Sequence, residues 1–350
     1  MKKFMLFAAM ASVVLTSCVN EDKEEMESAS KKAISFDMPV MKPTRAAGEI
    51  DGTVYPTGET FKVFCKSYTG TYTDWTTYAD YFAAGGEDVA YNGSKWSTAT
   101  VHYWPELGNK LAFAAYSPAD AAGTFAQTQT GLTITGFSTE NNVAHQYDLM
   151  YTPRVNELDK NDAGTDVPLV FKHALTSVVF KATKTDADAT YTIKSLSVNG
   201  LVSTTGDFNQ NIPNAAALDG TASWTNLATT TEKTYSILAD KTIDVAKAGT
   251  DLTGANSTAG ASTALLLIPQ GVDVNTTVTI TYNKKTGSNS LDATATIKLN
   301  DFVDGSSAHV TTWAMGKRYI YNIIFGANKP IYFNPSVADW TDVPLSYTIE

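Results

Sequence analysis

The sequence predicts an all-β fold, and three observations carry that prediction. Most apolar runs are short and alternate with polar residues, which is the pattern of strands with one buried face. Thr, Ala, Ser, Asn, Gly and Tyr are abundant, whereas charged residues make up only 18% of the chain. A length of 350 residues favours two domains of roughly 150 residues each. We therefore expect two β domains in tandem.

The chain is acidic. Its formal net charge is −10, and removal of the first seventeen residues, which carry two lysines, brings it to −12. An acidic surface without basic clusters argues against nucleic acid and anionic lipid as binding partners.

Residues 1–17 are predicted to be a signal peptide. Two lysines precede an apolar run that ends at Leu15, and this run is too short to span a bilayer. It finishes in "LTSC" at 15–18, which resembles the bacterial lipobox, so we expect Cys18 to become an acylated N-terminus. An ordinary secretory signal with a chance cysteine is the alternative. Acyl chains on Cys18 would attach the protein to a membrane.

Residues 18–45 are predicted to be an acidic tether followed by a removable leader strand. In "ISFDMPV", four apolar residues occupy alternate positions, as in a strand with one buried face. These residues are Ile34, Phe36, Met38 and Val40. The polar segment "KPTRA" follows, and its Arg45-Ala46 bond is the predicted site of proteolytic processing. Cleavage there would discard the strand and leave a vacancy in the remaining domain.

The N-terminal domain is predicted to span residues 46–165. The predicted strands are "FKVFCKS" (61–67), "KWST" around Trp96, "VHYWP" (101–105), "KLAFAAYSP" (110–118) and "DLMYTP" (148–153). Cys65 is in phase with Phe61 and Val63, which predicts a buried thiol. The polar stretch "NELDKNDAGTDVP" at 156–168 is the predicted domain linker.

The C-terminal domain is predicted to span residues 166–350. We expect long surface loops around a few short strands over 203–262, a hairpin around the turn at 285–288, and a central strand at 317–326. The chain ends in "VPLSYTIE", with alternating apolar residues that need a partner sheet. These are Leu345, Tyr347 and Ile349.

No catalytic or metal-binding pattern is found. The four histidines share no metal-type spacing with one another or with a cysteine, and no nucleophile elbow or phosphate-binding loop occurs. Four aspartates could present oxygens to calcium, but they lack the spacing of a known loop: Asp162, Asp166, Asp186 and Asp188. We therefore expect no enzyme activity and no cofactor.

The six tryptophans raise the question of a glycan-stacking surface. Trp104, Trp313 and Trp340 lie near apolar strand residues, which favours core packing. Trp75 is not assigned by this argument, so a monomeric glycan-binding lipoprotein stays an open alternative.

Several segments together resemble the fimbrillin family, the subunits of type V pili in Bacteroidia. They occur in that family's order: "VHYWPELGNKLAFAAYSP" (101–118), "LVFKHALTSVVFKA" (169–182), "LLLIPQ" (265–270), "WAMGKRYIYNIIF" (313–325) and "IYFNPSVADW" (331–340). The resemblance implies two transthyretin-like β-sandwich domains. The acidic tract at 20–25 resembles the signal that sends lipoproteins of Bacteroidia to the outer face of the outer membrane, although a solvated spacer would have the same composition.

The resemblance also implies a life cycle for the subunit. An arginine-specific protease would cut the Arg45-Ala46 bond of the exported lipoprotein and free the leader strand. The groove so exposed would accept the C-terminal strand of a neighbouring subunit, with Leu345, Tyr347 and Ile349 as donor residues and with "KPIYFNPSV" as a segment that could contribute beside it. The expected partners are other fimbrillin subunits, main or accessory, and the outer membrane through the lipid on Cys18.

Two alternatives to a polymerised cell-surface fimbrium remain at this point. An accessory subunit at the tip or the anchor of the pilus would share the fold, and the glycan-binding lipoprotein would stay uncut. A receptor on the surface of a host or of another bacterium is a further expected partner of such a fimbria.

Overall fold

The computed structural model describes residues 32–37, 40–41, 50, 55–140, 142–214, 217–238, 243–246, 249–253, 264–302, 308–326 and 341–348. Val40–Met41 and Thr341–Thr348 are described by their backbone alone. Within these residues the fold consists of strands and four short 3-10 helices, which confirms the predicted all-β class.

Strands form throughout the described part of the chain. Alternation of apolar and polar residues gives each run one apolar face, which can be buried when the run is extended. The first fourteen are β1 Phe36–Asp37, β2 Val40–Met41, β3 Tyr55–Pro56, β4 Phe61–Thr69, β5 Ala79–Asp80, β6 Glu87–Tyr91, β7 Trp96–Thr98, β8 Asn109–Ser117, β9 Thr124–Thr128, β10 Gly131–Ser138, β11 Met150–Tyr151, β12 Val155–Leu158, β13 Val167–Pro168 and β14 Lys172–His173. The others are β15 Thr176–Lys184, β16 Ala189–Leu201, β17 Thr205–Asn211, β18 Thr221–Thr225, β19 Lys233–Leu238, β20 Ile243–Asp244, β21 Thr250–Asp251, β22 Leu265–Leu267, β23 Gln270–Gly271, β24 Thr277–Thr286, β25 Asn289–Lys298, β26 Thr312–Trp313, β27 Lys317–Phe325 and β28 Thr341–Thr348. The 3-10 helices are Trp75–Thr77, Val143–His145, Lys160–Asp162 and Leu299–Asp301.

The largest sheet has the order β13-β1-β7-β6-β4-β8-β11-β14, with β12 and β5 pairing beside this path. Strand β4 buries side chains on both faces of it. Phe61, Val63 and Cys65 enter one hydrophobic cluster, whereas Phe64 and Tyr68 enter another. The predicted burial of Cys65 is confirmed, since its side chain is 2% exposed. Burial raises the pKa of its thiol.

A second sheet, β18-β17-β10-β9, covers one of these faces. It joins segments that are far apart in sequence, because β17 pairs antiparallel with β10 and places Phe208 opposite Ile134. A few short strands were predicted among the loops of 203–262, and β17 and β18 are two of them, but their pairing with β10 was not predicted. The domain boundary between residues 165 and 166 stays a prediction, and this sheet takes strands from both sides of it.

Two further sheets enclose the C-terminal core, with the orders β21-β15-β27-β28 and β19-β16-β24-β25. Their buried faces meet through residues such as Phe180, Ile193, Ile280 and Tyr321. The predicted hairpin is confirmed as β24 and β25, and the predicted central strand as β27, which runs parallel to both β15 and β28.

Strand β22 contributes to two hydrophobic clusters at once. Leu265 and Leu267 lie in the C-terminal core, whereas Leu266 lies in the cluster beneath the second sheet. The backbone N–H of Leu266 also donates to the side-chain oxygen of Gln146 at 2.8 Å. The two cores are therefore joined through one short strand with alternating faces.

Two local predictions fail. The run at 101–105 is not a regular strand, because only Tyr103 forms a bridge there, with Ala33. The predicted linker at 156–168 contains part of β12 and all of β13, whose Val167 is buried. Among the described residues, no helix has the length and apolar character needed to cross a membrane.

Candidate functional site

The segment predicted to be a leader lies inside the largest sheet. Phe36 pairs in parallel with Val167 of β13 on one side. On the other side it pairs antiparallel with Trp96 of β7. The leader strand β1 is thus an interior strand of the sheet, although it lies on the N-terminal side of the predicted cleavage bond.

The side chains of the leader fill an apolar groove. Ile34 is 4% exposed and Phe36 is 2% exposed. The ring of Phe36 meets Phe61 and Phe113 edge to face, with centroid distances of 5.8 and 6.0 Å. We call this site the leader groove: its floor holds the rings of Phe61 and Phe113, and its walls are Val167–Pro168 on one side and Trp96 with residues 102–104 on the other.

Backbone hydrogen bonds hold the leader to both walls. The N–H of Ile34 donates to the carbonyl of His102 at 2.8 Å, and the carbonyl of Lys32 accepts from the N–H of Trp104 at 3.0 Å. On the opposite wall, the N–H of Val167 donates to the carbonyl of Ser35 at 2.7 Å. Because main-chain groups make these contacts, any extended chain in the groove could make them.

A polar contact holds the other face of the leader. The hydroxyl of Ser35 donates to the carboxylate of Asp166, which also accepts from the ammonium of Lys95 at 2.8 Å. Burial alone would raise the pKa of Asp166, but the hydrogen bonds from Lys95 and Ser35 lower it. Lys95 is half exposed, so this contact lies at the surface side of the groove.

Of the remaining residues predicted for the leader, the cleavage site and the lipidation site, the structure describes only Val40. Val40 pairs in parallel with Tyr55, whose buried ring lies 5.1 Å from that of Trp96, so the backbone of Val40 lies beside the same core. Cys18, Met38, Arg45 and Ala46 lie outside the described residues. The processing site and the lipidation site therefore stay predictions.

The predicted donor strand is paired within its own subunit. Strand β28 runs parallel to β27 and places Leu345 beside Tyr321 and Tyr347 beside Ile323. It stands at the end of its sheet among the described strands. Ile349 and the core residue predicted at Trp340 lie outside the described residues.

In the part of the chain that the structure describes, the aromatic residues do not form the exposed platform that a glycan-binding surface would need. Trp75 is 2% exposed, and the guanidinium of Arg154 lies 5.0 Å from its ring centroid. The idea that Trp75 presents a sugar-binding face is therefore wrong, because its ring is inside the protein. Trp104 and Trp313 are buried, as predicted. Among the described aromatic residues, Tyr103 alone is exposed, at 41%.

Titratable side chains do not converge on a reactive centre in the described part of the chain. No group of three or more His, Cys, Asp or Glu residues there could hold a metal ion. His102 instead lies 3.0 Å from the carboxylate of Glu87 and stacks on Phe82.

Sequence reasoning missed one wall of the groove. Val167–Pro168 was assigned to a polar linker, and β13 is only two residues long, so no alternating pattern marked it. Val167 in that otherwise polar stretch was the one available signal.

Comparison with known protein families and solved structures shows what this chain is similar to. A family model described as fimbrillin-like matches residues 44–340. Comparison with curated protein sequences finds no similar protein.

Similar solved structures come from Bacteroidales. A fimbrial protein from Bacteroides vulgatus ATCC 8482 has 15% identity and a TM-score of 0.51, with 91% of this chain and 99% of that chain covered. A protein from Bacteroides uniformis ATCC 8492 with a proposed role in cell adhesion has 14% identity and a TM-score of 0.46 over 92% and 99% of the two chains. The fimbrial anchor protein Mfa2 from Porphyromonas gingivalis has 11% identity and a TM-score of 0.26 over 72% and 77%. At such identities, the likeness to the first of these shows a shared fold.

Proposed function

The chain belongs to the fimbrillin-like family and is a fimbrial subunit of the cell surface, and we propose that it forms the structural polymer of a type V pilus that supports adhesion. In this proposal the chain is exported as a lipoprotein acylated at Cys18 and is anchored in the outer membrane. Cleavage after Arg45 then releases the leader, and the subunits polymerise by donor-strand exchange.

The observation that carries the proposal is the position of Ile34 and Phe36. They are buried in an interior strand of a sheet whose other strands begin after Arg45. Removal of such a strand exposes an apolar floor and two walls with unpaired backbone groups, a combination that favours pairing with another strand.

The free energies of burial, hydrogen bonding and association explain why the groove must be empty before a neighbouring subunit can bind. A donor with Leu345, Tyr347 and Ile349 would gain about 1.5 to 3 kcal/mol for each buried side chain and about 0.5 to 1.5 kcal/mol for each ladder hydrogen bond. Association costs about 4 to 15 kcal/mol. The balance is favourable only where no strand has to be displaced. Before cleavage, the subunit's own leader competes at high effective concentration.

The arrangement of groove and donor predicts a filament. The groove lies in the largest sheet, whereas the donor residues Leu345 and Tyr347 belong to β28 of another sheet, so one subunit offers two different surfaces. A head-to-tail contact of this kind does not close on itself unless the rotation between subunits allows a ring.

The first experiment is intact mass measurement with N-terminal sequencing on protein recovered from the surface of the native cells. We expect filament subunits that begin at Ala46. An uncut chain with an acylated Cys18 would contradict the cleavage step and would instead favour a basal anchor or a monomeric surface lipoprotein.

A further inference from the structure

Strand β25 is the longest strand at the end of a sheet among the described strands. It runs over ten residues, Asn289–Lys298, and pairs with β24 on one side in one uninterrupted register. No strand of the described chain pairs with its other side. Its side chains are exposed or half-buried apart from that of Ile297. A row of backbone N–H and C=O groups therefore faces outward along this edge.

The edge lacks the features that usually prevent pairing with another chain. Edge strands in natural proteins are commonly short, bulged, interrupted by proline or charged on their inward face. Strand β25 contains no proline and no bulge, whereas β28, at the end of another sheet, carries Pro344. The inward-facing residues of β25 are uncharged: Leu291, Ala293, Ala295 and Ile297. Leu291 is 66% exposed, so part of this apolar face is uncovered.

The hairpin decides which residues of β25 present the outward groups. A two-residue turn places its flanking residues, Thr286 and Asn289, in a hydrogen-bonded pair, and the pairs alternate in kind from there. The side-chain oxygens of Thr281 and Thr294 lie 3.4 Å apart, as expected for a pair of the closer, non-hydrogen-bonded kind. The backbone groups that point away from β24 thus belong to Ser290, Asp292, Thr294, Thr296 and Lys298.

Two of these residues carry opposite charges that are still accessible to a partner. The carboxylate of Asp292 accepts from the ammonium of Lys194 at 2.7 Å, and the side chain of Asp292 is 60% exposed. Lys298 is exposed and forms no ion pair with any residue that the structure describes. Its backbone is extended, with φ −73° and ψ 129°. Because the two positions are separated by an even number of residues, both side chains lie on the solvent-facing side of the sheet.

One register of two antiparallel copies of β25 pairs these charges. With Asp292 of one copy opposite Lys298 of the other, Thr294 lies opposite Thr296, and the two-fold axis repeats both pairs. Ala295 then meets Ala295 of the other copy on the inward face. A register centred on Thr294 leaves both charges opposite uncharged residues, and one centred on Asp292 or on Lys298 brings like charges together.

We propose that two copies of this chain pair antiparallel through β25, edge to edge, with Asp292 of each copy opposite Lys298 of the other. The sheet β19-β16-β24-β25 then continues into its counterpart. Pairing of two single strands buries little surface, so one such contact is weak. The edge belongs to a different sheet from the leader groove and from β28, so the contact leaves both free. In the filament of the proposed function, repeated contacts of this kind would hold neighbouring filaments side by side.

Sedimentation equilibrium of the uncut chain carrying Cys18→Ser tests the pairing. The leader fills its groove in this sample and no acyl chain is present, so neither strand exchange nor lipid contributes. We expect a monomer–dimer equilibrium. Thr294→Pro should weaken the dimer about tenfold or more, because it removes an outward N–H donor and leaves the hydrogen bonds to β24 in place. A chain that stays monomeric, or a dimer that Thr294→Pro does not weaken, would overturn the proposal.

A charge exchange tests the register and does not depend on the folding of the proline variant. Lys298→Asp places an aspartate opposite Asp292, and Asp292→Lys places a lysine opposite Lys298, so each variant alone should dimerise about tenfold more weakly. A mixture of the two variants should form a heterodimer, because both cross-strand pairs are then complementary. Lys285→Asp, at an exposed position of β24, is the control and should leave dimerisation unchanged.

The mixing result separates this contact from the proposed function. Two charge variants that dimerise as well as the unchanged chain, or a mixture that gives no heterodimer, would overturn the pairing of Asp292 with Lys298. Neither result would affect strand exchange, since the uncut chain cannot undergo it. Failure of the cleaved subunit to polymerise would overturn the proposed function and leave the dimer of the uncut chain standing.

Discussion

Phe36 and Phe61 pack edge to face with their ring centroids 5.8 Å apart, although the predicted cleavage bond after Arg45 lies between them in the sequence. A cut at that bond therefore divides a packed aromatic pair and its neighbours. Before the cut, the pair is held within one chain. After it, the phenylalanine at position 36 can leave and the ring of Phe61 loses its cover.

We expect Arg45→Ala to give an uncut chain that does not polymerise. The leader would stay in its groove, because it remains covalently attached and competes with any incoming strand. Intact mass and electron microscopy of surface material measure both effects. Lys42→Ala is the matched control, since it removes a neighbouring positive charge and keeps the arginine. Normal filaments from Arg45→Ala would contradict the proposal that cleavage is required for polymerisation.

Phe36→Ala should lower the free energy of unfolding of the uncut chain by about 3 to 5 kcal/mol, because it leaves a cavity between Phe61 and Phe113. Asp37→Ala is the control at an exposed position and should change stability by less than about 0.5 kcal/mol. Urea unfolding of the uncut variants measures both values. Equal stability of the two variants would mean that the leader does not occupy the groove in solution.

Glu59 should make stability depend on pH. Burial and the charge of Asp120 raise its pKa from 4.5 to about 7, so the folded protein holds a proton that the unfolded chain has lost. The contribution of the neutral carboxyl is complete below pH 4.5 and is lost as the pH rises through about 7. Glu59→Gln should therefore unfold at higher urea than the unchanged protein at pH 8 and should differ little at pH 4. Glu232→Gln, at an exposed position, serves as control, and an identical pH profile in both variants would contradict the assignment.

Cys65 should resist thiol reagents in the folded subunit. Its side chain is buried in β4, and burial raises the pKa of the thiol, so very little reactive thiolate is present at neutral pH. A Cys18→Ser variant of the uncut chain provides the sample, because it keeps the leader that packs in the same cluster and leaves Cys65 as its single cysteine. Labelling with a maleimide should be slow in buffer and rapid in guanidinium chloride. Rapid labelling in buffer would mean that β4 opens readily.

Local periodicity was enough to predict the long strands. In β4 and in the hairpin of β24 and β25, apolar residues recur at every second position, and in β8 they form a short continuous run, and the strands form there. The burial of Ile34 and Phe36 was foreseeable on the same grounds. These predictions succeed because each element carries its own apolar face in its own sequence.

What the sequence did not reveal depends on contacts that are not local. Strands β17 and β18 consist mainly of Thr, Asn and small residues, and Phe208 and Trp224 were the only large side chains to indicate them. Their partner β10 is far away in sequence, so their pairing could not be inferred from composition. The burial of Trp75 depends in the same way on Arg154, which is brought to its ring by the fold.

The alternating side chains of Leu265–Leu267 have a mechanical consequence. A pilus is stretched by flow, and a subunit with a free hinge between its cores would bend there first. Here Leu266 is packed in one core while Leu265 and Leu267 are packed in the other, so rotation between the cores would have to pull side chains out of both. Each subunit should therefore resist bending between its two cores under tension. The elasticity of a filament should then come from the junctions between successive subunits.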